Sequence, residues 1–128
     1  MTTNLVDANI VIRYLTKDDP SLFIKAKQYF IDAASGKSNI YIDSVTIAEI
    51  VWVLTSFYKY PRTQISQPLS KILSQKWVLS DRKSILISTL AFFSTHNLSY
   101  IDCYLHCLAK TKNLSLTTFD KKLSKSSN

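Results

Sequence analysis

No uninterrupted apolar run in this chain approaches the roughly 18 residues that a membrane-spanning helix needs. Nor does the amino-terminal stretch carry a basic region followed by an apolar core and a cleavage site, so a cytoplasmic protein with no membrane association is expected. Low-complexity segments and repeats at solenoid periods are also missing, which excludes repeat architectures and, outside the extreme C-terminus, disorder. Cysteine is scarce: Cys103 and Cys107, four apart in a helical pattern, offer poor geometry for a disulfide and suit a reducing compartment. His106 beside them does not complete a structural zinc site, because a second ligand pair is wanting and the other histidine, His96, stands alone. They are read as a packed helix face. Glycine and glutamate occur once each, at Gly36 and Glu49, so both positions are informative. Acids are outnumbered, nine against sixteen Lys and Arg, and the resulting net charge of +7 favours a polyanionic partner such as nucleic acid.

What is present is an ordinary globular composition, 46% hydrophobic over 128 residues, enough for one domain with its own core. That domain is assigned to residues 1–123, with 124–128 a short polar tail. Short apolar runs at residues 4–6, 40–42, 77–79 and 114–117 read as strands, the first of them buried. Apolar residues at helical spacing predict helices over 9–15, 20–35, 46–58, 63–75, 82–96 and 100–112. Asp19 as N-cap, Pro20 at the first helical position and Gly36 as the stop bound the second helix. Asp81 is expected to cap the fifth, and Asn97 and Asn113 to close helices in the left-handed conformation. Pro68 implies that the fourth helix starts near Ser66 or kinks. The third is apolar around most of its circumference and is expected to be buried on more than one side. Strands alternating with helices predict a mainly parallel sheet covered on both faces.

Four acids share a setting. Asp7 ends the first strand and Asp120 follows the last, while Glu49 lies inside the apolar third helix and Asp102 in the first turn of the helix at 100–112. The crevice outside the carboxyl ends of parallel strands is where α/β sheets bind ligands, and right-handed crossovers bring helix starts to the same edge. A plainer reading exists for two of them: Asp7 as the N-cap of the next helix, and Glu49 as the reciprocal partner in a Thr46-x-x-Glu49 capping box. If the four converge, each pair about 5 Å apart repels by roughly 3 kcal/mol at an effective dielectric near 20, so joint ionisation calls for Mg2+ or Mn2+.

The segments Leu5-Val6-Asp7-Ala8-Asn9, Ile47-Ala48-Glu49-Ile50 with Val53-Leu54, Tyr100-Ile101-Asp102, and the ending from Leu116 through Thr118-Phe119-Asp120 to Leu123 resemble the PIN-domain ribonucleases. Within that family they resemble the VapC-type toxins of toxin–antitoxin pairs. The resemblance covers nearly the whole chain. It implies a three-layer α/β/α sandwich around a mainly parallel sheet, and RNA cleavage dependent on a Mg2+ or Mn2+ site built from Asp7, Glu49, Asp102 and Asp120. Asp7 and Asp102 would be direct ligands, with Glu49 and Asp120 acting through water or on a second ion. Asn9 and Thr118 match polar residues beside the acids, where a hydrogen bond can orient a carboxylate. The resemblance also implies a homodimer inhibited by a small antitoxin protein. The chain departs from the family at Cys103-Tyr104, where small or aliphatic residues are common, and at Asn113 in place of glycine.

Two other classes remain. A phosphoacceptor receiver domain is also a small α/β unit with clustered acids and Mg2+, but it wants paired acids after the first strand, and Asp7 is followed by Ala8. A non-catalytic nucleic-acid-binding module would share the charge without requiring all four acids. Lys110, Lys112, Lys121 and Lys122 are either a phosphate-tracking surface or a solvated face.

Overall fold

The computed structural model describes residues 1–126. Three parallel strands, β1 (Thr2–Leu5), β2 (Ser38–Tyr41) and β3 (Val78–Leu79), lie side by side in that order. Seven helices accompany them among the described residues: α1 (Ala8–Thr16), α2 (Pro20–Ala34), α3 (Ser44–Ser56), α4 (Arg62–Leu73), α5 (Lys83–Thr95), α6 (Tyr100–Lys112) and α7 (Lys121–Ser126). The result is the expected three-layer α/β/α sandwich. Ile40, Ile42, Ile47, Ile50, Leu54 and Leu86 are fully buried at its centre, joining the middle strand to α3 and α5.

Local chemistry explains most element ends. The Asp19 carboxylate accepts from Leu22 N–H, Pro20 opens α2, and Gly36 takes φ 86 just beyond it. Lys17 and Asn113 close α1 and α6 at φ 56 and φ 55. Asn97 does not play that part for α5, which ends at an extended His96. α4 runs unbroken through Pro68, the missing N–H being outweighed by burial of Ile65, Leu69 and Leu73 on one face.

Two strand-level expectations are corrected. β1 is an edge strand rather than a buried one, with Leu5 72% exposed. Residues 114–117 form no strand, so the sheet has three strands where four are expected. After Asn113 the Leu114 N–H returns to the Ala109 carbonyl, and α7 docks back on α6 through buried Leu123; the stretch between them reaches no ladder. α3 packs against α1, α4 and α6, as a helix buried on more than one side does, and leaves Val45 and Trp52 on the surface. Part of the expected tail is also structured, since α7 extends through Ser126; Ser127 and Asn128 lie outside the described residues.

Candidate active site

The carboxyl edge of the sheet presents an aspartate after every strand. Leu5 pairs with Tyr41 and Tyr41 with Leu79, so the three strands end level. Asp7, Asp43 and Asp81 each stand two residues past those ends. Each also has a local task. Asp7 caps α1 by accepting from Ile10 N–H at 3.2 Å, and Asp43 caps α3 by accepting from Val45 N–H at 2.9 Å. Asp81 does not cap α5, whose N-cap is Arg82 with no side-chain bond. It reaches instead to the start of α3, accepting from Ser44 N–H at 3.0 Å and the Ser44 hydroxyl at 2.9 Å. Burial pushes the Asp81 carboxyl up, but the Ser44 donors outweigh it and hold the group below the usual carboxylate range. The apolar-run-then-Asp pattern after residues 42 and 79 is the signal by which sequence reading finds the level placement of Asp43 and Asp81.

The capping-box explanation of Glu49 does not survive. With Asp43 as N-cap and Ser44 as the first residue of α3, Thr46 is already inside the helix and Glu49 lies in its second turn. Glu49 is exposed and forms no hydrogen bond or ion pair among the described residues. Asp102 occupies the first turn of α6, where its backbone N–H donates to the Ser99 hydroxyl; its carboxylate is likewise unpartnered among the described residues. A shared cavity lined by Ser44, Val45 and Arg82 together with Tyr100, Ile101 and Tyr104 brings the first turn of α6 to this same sheet edge. α1 packs on α3 and α3 on α6, so Asp7, Glu49 and Asp102 belong to elements in serial contact.

Asp120 stands just before α7, where its carboxylate caps the helix at Leu123 N–H, 2.9 Å. Thr118 accepts from the Asp120 backbone N–H at 3.0 Å, bracing the residue through its main chain rather than its carboxylate. Asn9 is exposed in the first turn of α1, beside a surface hollow shared with Arg13 and Tyr29. Cys103 and Cys107 are free and buried, and burial pushes the Cys103 thiol up to about 11, so the pair is packing rather than chemistry.

The donors are those a hard divalent cation prefers, all carboxylate oxygen. Their spacing is not: among the described residues no three His, Cys, Asp or Glu side chains stand close enough to hold one ion. In this arrangement the acids do not form a closed coordination sphere.

The PIN domain family matches residues 5–127, nearly the whole chain. The chain belongs to that family. No curated protein and no solved structure matches it. PIN domains are generally metal-dependent nucleases that bind nucleic acid, which agrees with the acids at the sheet edge and with the surplus of cations. Arg13–Asp18, 3.1 Å, is the only ion pair among the described residues, so the other lysines and arginines of this PIN domain have no carboxylate within ion-pair distance there. No helix in the described residues is long and apolar enough to cross a membrane.

Proposed function

We propose that this PIN domain is an endoribonuclease that hydrolyses RNA phosphodiesters in the presence of Mg2+ or Mn2+, and that it is the VapC-type toxin of a toxin–antitoxin pair. One observation carries the reading: Glu49 and Asp102 are carboxylates that the fold does not use, on two helices that pack together at the carboxyl edge of the sheet. A charge with no structural partner, at the edge where α/β sheets bind ligands, is retained for a ligand. Asp7 and Asp120 complete the proposed acid set, with Asn9 and Thr118 in support. A divalent ion, were one held by Asp7, Glu49, Asp102 and Asp120, would supply an activated water and offset phosphate charge. The chain's own share is to hold acids on rigid helix starts and to meet the RNA backbone with cations that lack carboxylate partners. Exposed Leu5, Ile24 and Phe57 support protein partners, a second copy of the chain and a small antitoxin.

The test is RNA cleavage by the purified protein with Mg2+, Mn2+ or EDTA, with the cut ends mapped. Cleavage restored by either ion and abolished by EDTA is expected; cleavage indifferent to EDTA, or none with any RNA, overturns the reading. For the toxin role, induced expression in a bacterial host is expected to arrest growth with Glu49 intact and to leave growth unaffected in Glu49→Gln.

A further inference from the structure

At the edge of the sheet opposite the acids lies a hollow of about 230 Å3 that the proposed chemistry does not use. Its walls come from helix ends and a strand start: Tyr14 in the last turn of α1, Phe30 toward the end of α2, Lys71 in the last turn of α4 with Gln75 just beyond it, and Trp77 immediately before β3. Three of these walls are rings held in place by the fold itself. Tyr14 stacks on Phe30 with centroids 4.1 Å apart, and Phe30 meets Trp77 edge-on at 6.2 Å. The turn that carries Trp77 is tied down three ways: Ile40 N–H donates to the Trp77 carbonyl at 2.9 Å, Val78 N–H to the Gln75 carbonyl at 3.1 Å, and the Lys83 ammonium to the Gln75 and Val78 carbonyls at 2.7 Å each. A hollow whose walls are already ordered asks little conformational entropy of a ligand.

The same walls carry polar groups for which the fold has no use. The Tyr14 hydroxyl, the Trp77 indole N–H and the Lys71 ammonium have no hydrogen-bond or ion-pair partner among the described residues. No acid lines the hollow. The carboxyl ends of α1, α2 and α4 each bring about half a negative charge toward it. Lys17, which closes α1, and Lys71 bring a full positive charge each, so the balance at the mouth is positive.

We propose that this hollow is a binding site for a free nucleoside monophosphate, with the base against the Tyr14 and Trp77 rings and the phosphate at the mouth on Lys71. Size limits what enters. At about 230 Å3 the hollow is smaller than the roughly 300 Å3 at which drug-sized pockets begin, so it takes one ring system and leaves sugar and phosphate outside, where Lys71 is exposed. Ring walls favour a flat, polarisable ligand, and stacking rewards every base. An unpaired lysine on a chain of net charge +7 favours an anion, and a phosphate dianion gains more from that field than a carboxylate does. The site lies at the other edge of the sheet from Asp7, Glu49 and Asp102, and it stands whether or not the ribonuclease reading does.

The experiment uses the full-length chain with Trp52→Phe, which leaves Trp77 as its one tryptophan. Trp77 fluorescence is followed in EDTA during titration with AMP, GMP, CMP and UMP, with adenosine and inorganic phosphate as part-ligands, and melting temperature is read alongside. Saturable quenching by the monophosphates is expected, with a melting temperature that rises as the site fills; adenosine is expected to bind more weakly and phosphate alone to leave the fluorescence unchanged. Lys71→Gln is expected to weaken AMP binding roughly 2- to 5-fold, the scale of an exposed ion pair, and to leave adenosine binding as it was. Tyr14→Leu is expected to weaken it roughly 5- to 100-fold, the loss of one stacked base. If that variant does not fold, as melting without nucleotide shows, Lys71→Gln decides. Lys110→Gln makes the same charge change on α6 and is expected to leave AMP affinity unchanged; an equal loss in the two lysine variants would be an effect of net charge and overturns the site. So does the absence of quenching by all four nucleotides, or adenosine bound as tightly as AMP. Binding that disappears when Glu49→Gln and Asp102→Asn are combined would put the nucleotide at the acids and overturns it too.

Discussion

At the scale of single residues, the structure separates acids that hold the fold from acids that do not. Asp7, Asp19, Asp43 and Asp120 each cap a helix, and Asp81 ties β3 to α3; Glu49 and Asp102 have no such task among the described residues. Glu49→Gln is therefore expected to change stability by no more than about 0.5 kcal/mol, the usual range for an exposed site without partners. Cleavage is expected to fall by a factor on the order of 100 or more, the scale of losing a group that stabilises developing charge. Thermal melting and a cleavage assay on the same preparation check both halves. Asp18 offers a pH test. The Tyr58 hydroxyl foremost, then Thr16, hold its carboxyl at about 2, below its ordinary 3.8. A depressed carboxyl stabilises the folded state above the ordinary value, and that contribution is lost as pH falls through the folded one. Tyr58→Phe is expected to melt lower than wild type at neutral pH, with the two melting curves converging as pH drops from about 4 toward 2.

Among elements, α7 is the most conditionally held. It rests on α6 through Leu123 and through a bond from His106 to Ser126. The Ser126 hydroxyl gives its one hydrogen to the Leu123 carbonyl, so His106 Nδ1 carries a proton and donates. Phe92 lies between the two histidines of the chain, His96 at 3.7 Å and His106 at 4.0 Å, both nearly parallel to it. Burial first, then Lys110 and His96, pushes the His106 pKa below its ordinary 6.5. The unfolded chain then takes up the proton first on acidification, so stability is full above about 6.5 and declines as pH falls toward the folded value. His106→Gln, which keeps a donor for Ser126, is expected to lose less melting temperature than wild type between pH 7 and 5. Melting profiles across that range decide it; equal slopes would show that His106 stays out of the acid response. Because Asp120 caps α7, loosening that helix also moves the last of the proposed acids.

For the molecule as a whole, one core and one uncompensated charge dominate. Leu86, on α5, is fully buried in the core, and Leu86→Ala is expected to cost about 2–5 kcal/mol, read from denaturant unfolding. A net charge of +7 with one ion pair among the described residues leaves a surface whose attraction for nucleic acid is long-ranged and easily screened. RNA affinity is expected to fall steeply from low to physiological salt, by titration at fixed temperature; a flat response would mean that the lysines are only a solvated face.

How far the sequence alone reaches is set by the range of the interactions concerned. Helix starts and stops at Asp19-Pro20, Gly36 and Asn113 were legible because caps and left-handed closures act within a few residues. The alternation of strands and helices sufficed for the parallel sheet and its layers, and the four family segments for the PIN domain. Contacts across the fold were not legible. Asp81 has the local sequence of an α5 cap, yet it serves α3, 37 residues earlier, because two parallel strands end level. Residues 114–117 alternate as a strand does, but pairing requires a free edge within reach, and the docking of α7 on α6 decides where that segment runs. The apolar circumference of α3 called for burial on more than one side; which face stays open, and so whether Trp52 is core or surface, depends on where α1, α4 and α6 come to rest against it.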